Sequence, residues 1–419
     1  MPTIFVQIAS YRDAELLPTL RDCIAKAAHP EHLRFGLCWQ HDETEDLSEL
    51  LSDPRFRMID VPYQESKGVC WARNAIQSLY DGETYTLQLD SHHRFMPAWD
   101  TALINMLESL DSDKPLLTSY APHYNPRRPK PPKAVPWKIA FDQFTADGRL
   151  LARPSFMQNY RDLEKPIPAR FYSAHFAFAR GAFCHEVRHD PLLYFHGEEI
   201  TIAVRAFTHG YDLFHPHKLI VWHEYTRSYR RKHWDDHTEG SDPWYARDSV
   251  ARDRIATLLG QKNDAIDLGE FGLGTSRALA DYEHYAGISF KLRLVQDYTR
   301  DDQPPPNPEM YRVDDWEKHC KKDYVAKFAV RRDKLPRLKD VDFWYVGLHD
   351  KSGTELIRQD LNPEAIQQAL RTNPVRLELA YRGAEPAISW TIWPHNEKKG
   401  WLRKVRGLLR TNTLSHTAR

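Results

Sequence analysis

Residues 3–90 alternate short apolar runs with helix-patterned stretches, and that alternation limits what the chain can fold into more than any other feature. "TIFVQIAS" (3–10), "LRFGLCWQ" (33–40), "FRMIDVP" (56–62) and "TYTLQLD" (84–90) are each strand-length and rich in β-branched or aromatic residues. Between them, "LLPTLRDCIAKAAH" (16–29) and "GVCWARNAIQSLY" (68–80) repeat apolar residues at helical spacing. Strands that take turns with helices at this spacing imply an α/β fold, a mostly parallel sheet covered by helices on both faces. In such sheets ligands sit beyond the carboxyl ends of the strands, where "SYRD" and "DSHH" fall.

At 419 residues the chain has room for two or three domains, and 41% hydrophobic with 12% aromatic residues supplies a sizeable core. Lys+Arg and Asp+Glu both total 58, so there is no global basic field of the kind that attracts nucleic acid. No apolar run approaches membrane-spanning length. "MPTIFVQIASYRD" lacks the basic region and cleavage site of a signal peptide and reads as a strand. The five cysteines are scattered without a CxxC pair, which favours reduced thiols in a cytoplasmic protein.

Beyond residue 90, "APHYNPRRPKPPKAVPWK" (121–138) is too rich in proline for regular helix and is expected to be a surface loop, either a connector or a flap over an acceptor groove. "HGEEITIAVRAFTHGYDLFHP" (196–216) reads as a helix that opens with two acids and closes at Gly210; "LIVWHEY" (219–225) reads as a strand. The expected domain plan is a first domain over 1–300, a stiff proline linker at 301–309 and a small β-rich domain over 310–396. A short basic amphipathic helix plus a tail, together 397–419, closes the chain. Its Lys398, Lys399, Arg403, Lys404, Arg406 and Arg410 make it either a solvated end or a peripheral membrane contact.

Several groups could carry chemistry. In Asp90-Ser91-His92, residues i and i+2 of a near-extended backbone project to one side, so Asp90 and His92 can meet one divalent cation. A carboxylate with an imidazole suits Mn²⁺ or a similar ion that also takes phosphate oxygens. His223, after an apolar strand, is a candidate third ligand, and His93 is the alternative. Arg12 and Arg73 could clamp a diphosphate, though Arg73 could equally be a plain helix-surface charge. Glu198 and Glu199 satisfy the helix dipole and could also face sugar hydroxyls or an incoming nucleophile. There is no Walker A or GxGxxG pattern.

Taken in order, "IFVQIASYRD", "KGVCWARNAIQSLYDGETYTLQLDSHHRFMPAWD", "HGEEITIAVRAFTHGYDLFHP", "VWHEY" and "FGLGTSRALADYEHYAGISF" resemble the GlcNAc-transferase family, whose best-known members modify hydroxyproline on a ubiquitin-ligase subunit. The resemblance covers roughly residues 3–290 and implies a GT-A glycosyltransferase fold. It implies that Asp90, His92 and His223 hold a divalent cation, Mn²⁺ first and Mg²⁺ second, on the diphosphate of a UDP-sugar. It implies a nucleotide-sugar pocket against Ala9, Ser10, Tyr11 and Arg12, with Arg73 near the pyrophosphate or ribose and Ser91 beside Asp90. Glu198 and Glu199 fall where related enzymes contact donor sugar or acceptor. The acceptor would be a polypeptide or a glycan hydroxyl, the latter at a membrane face if the basic tail anchors. The glycine-rich "FGLGTSRALADYEHYAG" suggests packing and no catalytic role. The C-terminal module and the 121–138 loop lie outside the recognised pattern.

Overall fold

The structure is a computed structural model that describes residues 2–128, 130–145, 147–226, 230–239, 243–264, 266–308, 320–337, 341–409 and 414–415. It forms two compact units, one running to residue 292 and returning for 298–308, the other holding 293–297 and the described residues from 320 on.

The four N-terminal runs become β1 (Ile4–Tyr11), β2 (Leu33–His41), β3 (Phe56–Pro62) and β4 (Tyr85–Asp90). All are parallel, with β1 between β2 and β4. The short β5 (His93–Phe95) follows, then β6 (Pro115–Thr118), a hairpin of β7 (Trp137–Phe144) with β8 (Leu150–Phe156), β9 (Ile167–Pro168), β10 (Phe176–Arg180), β11 (Asp212–His215) and β12 (Val221–His223). The main sheet runs β3-β2-β1-β4-β10-β6-β11-β9, with β10 antiparallel to both its neighbours. The α/β class and mostly parallel sheet expected from the sequence are what the chain adopts.

Strand alternation explains how this sheet is covered. Ile4, Val6 and Ile8 point to one face and pack with Leu16, Leu20, Trp99 and Leu103 of two helices, Leu16–Lys26 and Trp99–Glu108. Phe5 points to the other face and meets Ala72 and Ile76 of the helix Val69–Gln77. The glycines of the "FGLGTS" stretch serve close packing: a Cβ on Gly274 would lie 2.5 Å from the Thr208 carbonyl, and its N–H donates to Thr208 Oγ1 at 2.9 Å.

The proline-rich segments are held down. His223 N–H donates to Pro122 O, Tyr124 N–H donates to His223 O, and Trp222 Nε1 donates to Pro132 O. The 121–138 loop therefore buttresses β12. At the other proline run, Arg170 donates to the Gln303 carbonyl and to Asn307 Oδ1, and Lys138 pairs with Asp302 at 2.8 Å. Residues 302–307 lie against the first unit.

The strand β13 (Ile288–Ser289) ends that unit's strands. In the second unit β14 (Leu294–Gln296) pairs with β15 (Cys320–Val330), which pairs along its length with β18 (Val375–Gly383). A second sheet joins β16 (Phe343–His349) to β17 (Glu355–Leu361) and to β19 (Ser389–Asn396). Trp344, Val346, Leu348, Ile366, Val375 and Ile392 fill the core of this β-rich unit. One expectation is overturned here. The described residues of the C-terminal segment form no helix: β20 (Gly400–Trp401) and β21 (Val405–Leu408) both pair with β19, and β22 (Leu414–Ser415) pairs with β15. "KVRGLL" alternates in and out at a period of two, and an open edge of β19 captures it in preference to helix formation. Arg410 lies outside the described residues. Among the described residues no helix is long and apolar enough to cross a membrane, and the five cysteines are buried and unbridged.

Candidate active site

Parallel pairing sets Ala9 beside Asp90 at the carboxyl ends of β1 and β4. The chain then bends through Ser91 and His92 into β5, whose His93 pairs with His223 of β12. Two strand ends thereby bring one carboxylate and two imidazoles together. Asp90 Oδ2 lies 3.4 Å from His223 Nε2 and 3.8 Å from His92 Nε2, and ligand atoms of all three fall within 4.8 Å of one another. His93 is fully buried and is not part of that group.

This donor set fits a divalent cation. His92 Nδ1 lies 2.8 Å from Asp13 Oδ2, so Nδ1 carries the proton and Nε2 offers its lone pair to the cluster. Asp13 is 1% exposed. Burial would raise its pKa, but the hydrogen bond and charge of His92, with Arg230 and Ser91, hold it below the usual carboxylate range. Arg230 Nη2 lies 3.1 Å from His92 Nε2 and takes that lone pair here, so a cation bound between Asp90, His92 and His223 requires the Arg230 side chain to swing aside. Burial pushes the His223 imidazole well below its ordinary pKa, which keeps it neutral and able to ligate. Asp90 leaves a quarter of its side chain open to the cavity. Desolvation works against its charge, but His223, Arg73 and His92 together hold it well below the ordinary value. It is ionised.

These groups form the floor of a cavity of about 420 Å³ in the first unit. Arg73 is 4% exposed and donates from Nη2 to Asp90 Oδ1 at 2.9 Å; Nη1 lies 3.9 Å from Glu198 Oε1. It is a buried counter-charge rather than the helix-surface residue that its spacing allows. Glu199 accepts from the Ala174 N–H at 2.9 Å and the Tyr120 hydroxyl at 2.7 Å. Burial raises both glutamates, and Glu198, facing Glu199 and relieved only in part by Arg73, is pushed up to about 8. The buried pair therefore holds a proton more readily than ordinary carboxylates do. Their helix, Glu198–Thr208, begins after Gly197, whose φ of 102° and close approach to Ile255 Cδ1 leave no room for a side chain.

Of the other candidates, Ala9, Tyr11 and Ser91 line the cavity. The Tyr11 hydroxyl donates to Asp236 at 2.9 Å, and Ser91 Oγ donates to Asp13 at 2.7 Å. Ser10 is buried behind the rim with its hydroxyl unpartnered. Arg12 is turned away: it is paired with Asp42 and Asp236 at 2.6 and 2.9 Å, and lies 4.3 Å over the Tyr63 ring.

Asp13, His175, Tyr120 and the run Arg230-Arg231-Lys232 were not identifiable as site residues by spacing alone. Arg12 takes a left-handed φ of 46°, which breaks the strand alternation and sends Asp13 inward in its place. His175 stacks 4.3 Å from His223. The signal for the rim cations is the block "RRK" seven residues past His223, which lines the cavity.

A family model for glycosyltransferase (GlcNAc) matches residues 3–53 and 45–292. No curated protein matches the chain in sequence. Among solved structures, GalNAc-T7 with UDP, GalNAc and Mn²⁺ aligns at 16% identity and a TM-score of 0.47, over 68% of this chain and 54% of that one. The chain thus spans about half the length of that relative. TarS 1–349 of S. aureus in complex with UDP-GlcNAc aligns at 12% identity and a TM-score of 0.33, over 61% of this chain and 72% of that one.

Proposed function

Because the chain belongs to the glycosyltransferase (GlcNAc) family, we propose that it moves a sugar, GlcNAc foremost, from a UDP-sugar to a Ser, Thr or hydroxyproline hydroxyl of a cytoplasmic polypeptide. The observation that carries this reading is the Asp90–His92–His223 cluster at the floor of a cavity with Arg230, Arg231 and Lys232 in its wall. Asp90, His92 and His223 would hold a divalent cation, Mn²⁺ foremost and Mg²⁺ second, which supplies positive charge to the diphosphate oxygens.

Transfer from a nucleotide sugar builds negative charge on the departing diphosphate while the sugar becomes oxocarbenium-like. Arg230, Arg231 and Lys232 are the cations available on the cavity wall to meet that charge, in a site where partial exclusion of water strengthens each contact. Arg73 acts one step back: it neutralises Asp90 and so keeps that carboxylate ionised and fixed in place. Asp13 fixes the tautomer of His92. The protonated member of the Glu198–Glu199 pair can donate to a sugar hydroxyl, and Glu199 can accept from one once Tyr120 yields. Retention of the anomeric configuration, with the leaving oxygen taking the acceptor's proton, is the stereochemical course in this reading.

Asp90 has two duties, so its substitution would also strip a partner from buried Arg73. His223 is the cleaner probe. UDP release from UDP-GlcNAc with Mn²⁺ and a Ser/Thr or hydroxyproline peptide is expected to fall by about 10³-fold or more in His223→Ala, in line with the loss of a major charge-stabilising element. Excess chelator should have the same effect on the native chain. Full turnover in either condition would sink the metal assignment, and turnover only with another nucleotide sugar would replace the donor.

A further inference from the structure

The second unit carries a cavity of its own, about 530 Å³ in volume, on the outer side of the β16–β19 sheet. Its wall is aromatic and its rim is hydroxylated and charged. Trp401, on the short β20 strand, stands 42% exposed, a large apolar surface to leave in water. It is also held rigidly: Trp393 lies 4.4 Å from it, and the rings of Phe343 and His395 meet it edge-on at 5.5 and 5.1 Å. Trp393 itself is already engaged, with Lys404 Nζ 3.6 Å over its ring and its indole N–H donating to Leu402 O. The accessible indole is therefore Trp401. Around it stand groups that both donate and accept. The Tyr345 hydroxyl donates to Glu355, and His349 Nε2 lies 3.0 Å from Thr391 Oγ1.

We propose that this cavity binds a neutral saccharide, with one pyranose ring laid against Trp401 and its hydroxyls met by Glu355, Thr391 and His349. A pyranose has a face of C–H bonds whose positive hydrogens suit the negative face of an indole, and its edge is a ring of hydroxyls that each donate and accept. A rigid aromatic wall with a few mixed polar groups matches both halves of that ligand. An acidic peptide is the competing occupant, and the charges disfavour it. Lys404 is spent on Trp393; Arg358 lies 5.2 Å over Tyr345 and is paired with Asp360 at 2.7 Å; Glu355 stands in the wall. Among the described residues Arg406 is the one lining cation with neither an ion pair nor a ring contact, and a single such charge facing Glu355 is a weak attraction for an acidic segment.

The test uses the full chain without any nucleotide sugar, so its outcome is separate from that of the transferase reading. Chitotetraose, cellotetraose and maltotetraose are titrated while tryptophan fluorescence and heat are followed, with hexaglutamate as a fourth probe. At least one tetrasaccharide is expected to bind saturably, and Trp401→Ala to weaken it by about tenfold or more, the equivalent of about 1.4 kcal/mol. Trp401→Phe should restore most of the affinity. Should Trp401→Ala lower the melting temperature, Glu355→Gln on the exposed rim serves as a second variant and should weaken binding in a protein with native melting. Binding of none of the three saccharides, binding of hexaglutamate alone, or saccharide affinity unmoved by both variants would each overturn the proposal.

Discussion

The two cavities are similar in volume and opposite in their treatment of charge. In the first unit, the ionisable groups are buried and share one another: Arg73 is 5% exposed by side chain, Asp13 not at all, and four histidines crowd around Asp90. In the second, ions sit at the surface in simple pairs, such as Arg358–Asp360 at 48% and 43% exposed, and rings form the wall. The contrast separates two kinds of site. Burying charge is costly and is sustained only with opposite charge close by, so it marks a place where charge must be stabilised in a dry setting. Even so, Arg73 Nε and Nη1 have no hydrogen-bond partner. A ring wall makes no such demand, and its groups can change one at a time.

Substitutions should therefore differ in reach. Arg73→Met leaves Asp90 and Glu198 without their shared counter-charge and should cost about 3–5 kcal/mol. Its counterpart Arg382→Met, which breaks a half-exposed pair with Asp323 at 3.3 Å, should cost at most about 1 kcal/mol. Urea unfolding of the two variants makes the comparison, and equal losses would erase the distinction. Next in size, Asp13→Asn should weaken Mn²⁺ binding by about 10–100-fold, because the partner that sets the His92 tautomer is lost. Titration of the metal alone reads this without turnover, and an unchanged affinity would make Asp13 a packing residue.

The last effect is a slope. Glu198 is raised from its ordinary value near 4.5 to about 8, so the folded chain holds a proton there that the unfolded chain releases. Stability from this group is full below pH 4.5 and is lost as pH rises toward 8, at up to about 1.4 kcal/mol per pH unit. Glu198→Gln should flatten that part of the profile measured by urea midpoints between pH 5 and 8. Parallel profiles for the two proteins would mean that Glu198 is not the proton holder.

Much of the first unit was legible because its signals are local. A period of two or 3.6 is written in adjacent residues, and "FRMIDVP" is the strand Phe56–Pro62 without a residue's difference. Asp90 with His92 was visible for the same reason. Asp13 was hidden because one left-handed residue, Arg12, reverses which side chain faces in, and nothing in "SYRD" announces a φ of 46°. In the sequence Arg73 stays open between a diphosphate clamp and a surface charge, because its burial depends on Asp90, 17 residues on, and on Glu198, much farther along the chain. The C-terminal strands were misread as a helix because a short basic amphipathic run suits both, and the vacant flank of β19 decides between them. The acid pair at 198–199 shows the same limit: spacing puts both in a first helical turn, and only packing raises both above ordinary carboxylates.

The pairing of β5 with β12 has a consequence in time as well as in space. His223 reaches His92 only after a loop of more than a hundred residues has closed, and Asp13 is brought in from 79 residues upstream of His92. Contacts so distant in sequence form slowly and late. A chain emerging from the ribosome can complete β1 to β4 long before it owns any of this chemistry. Catalytic competence would then lag behind the formation of the sheet, and the appearance of activity would report the last stage of folding of the first unit.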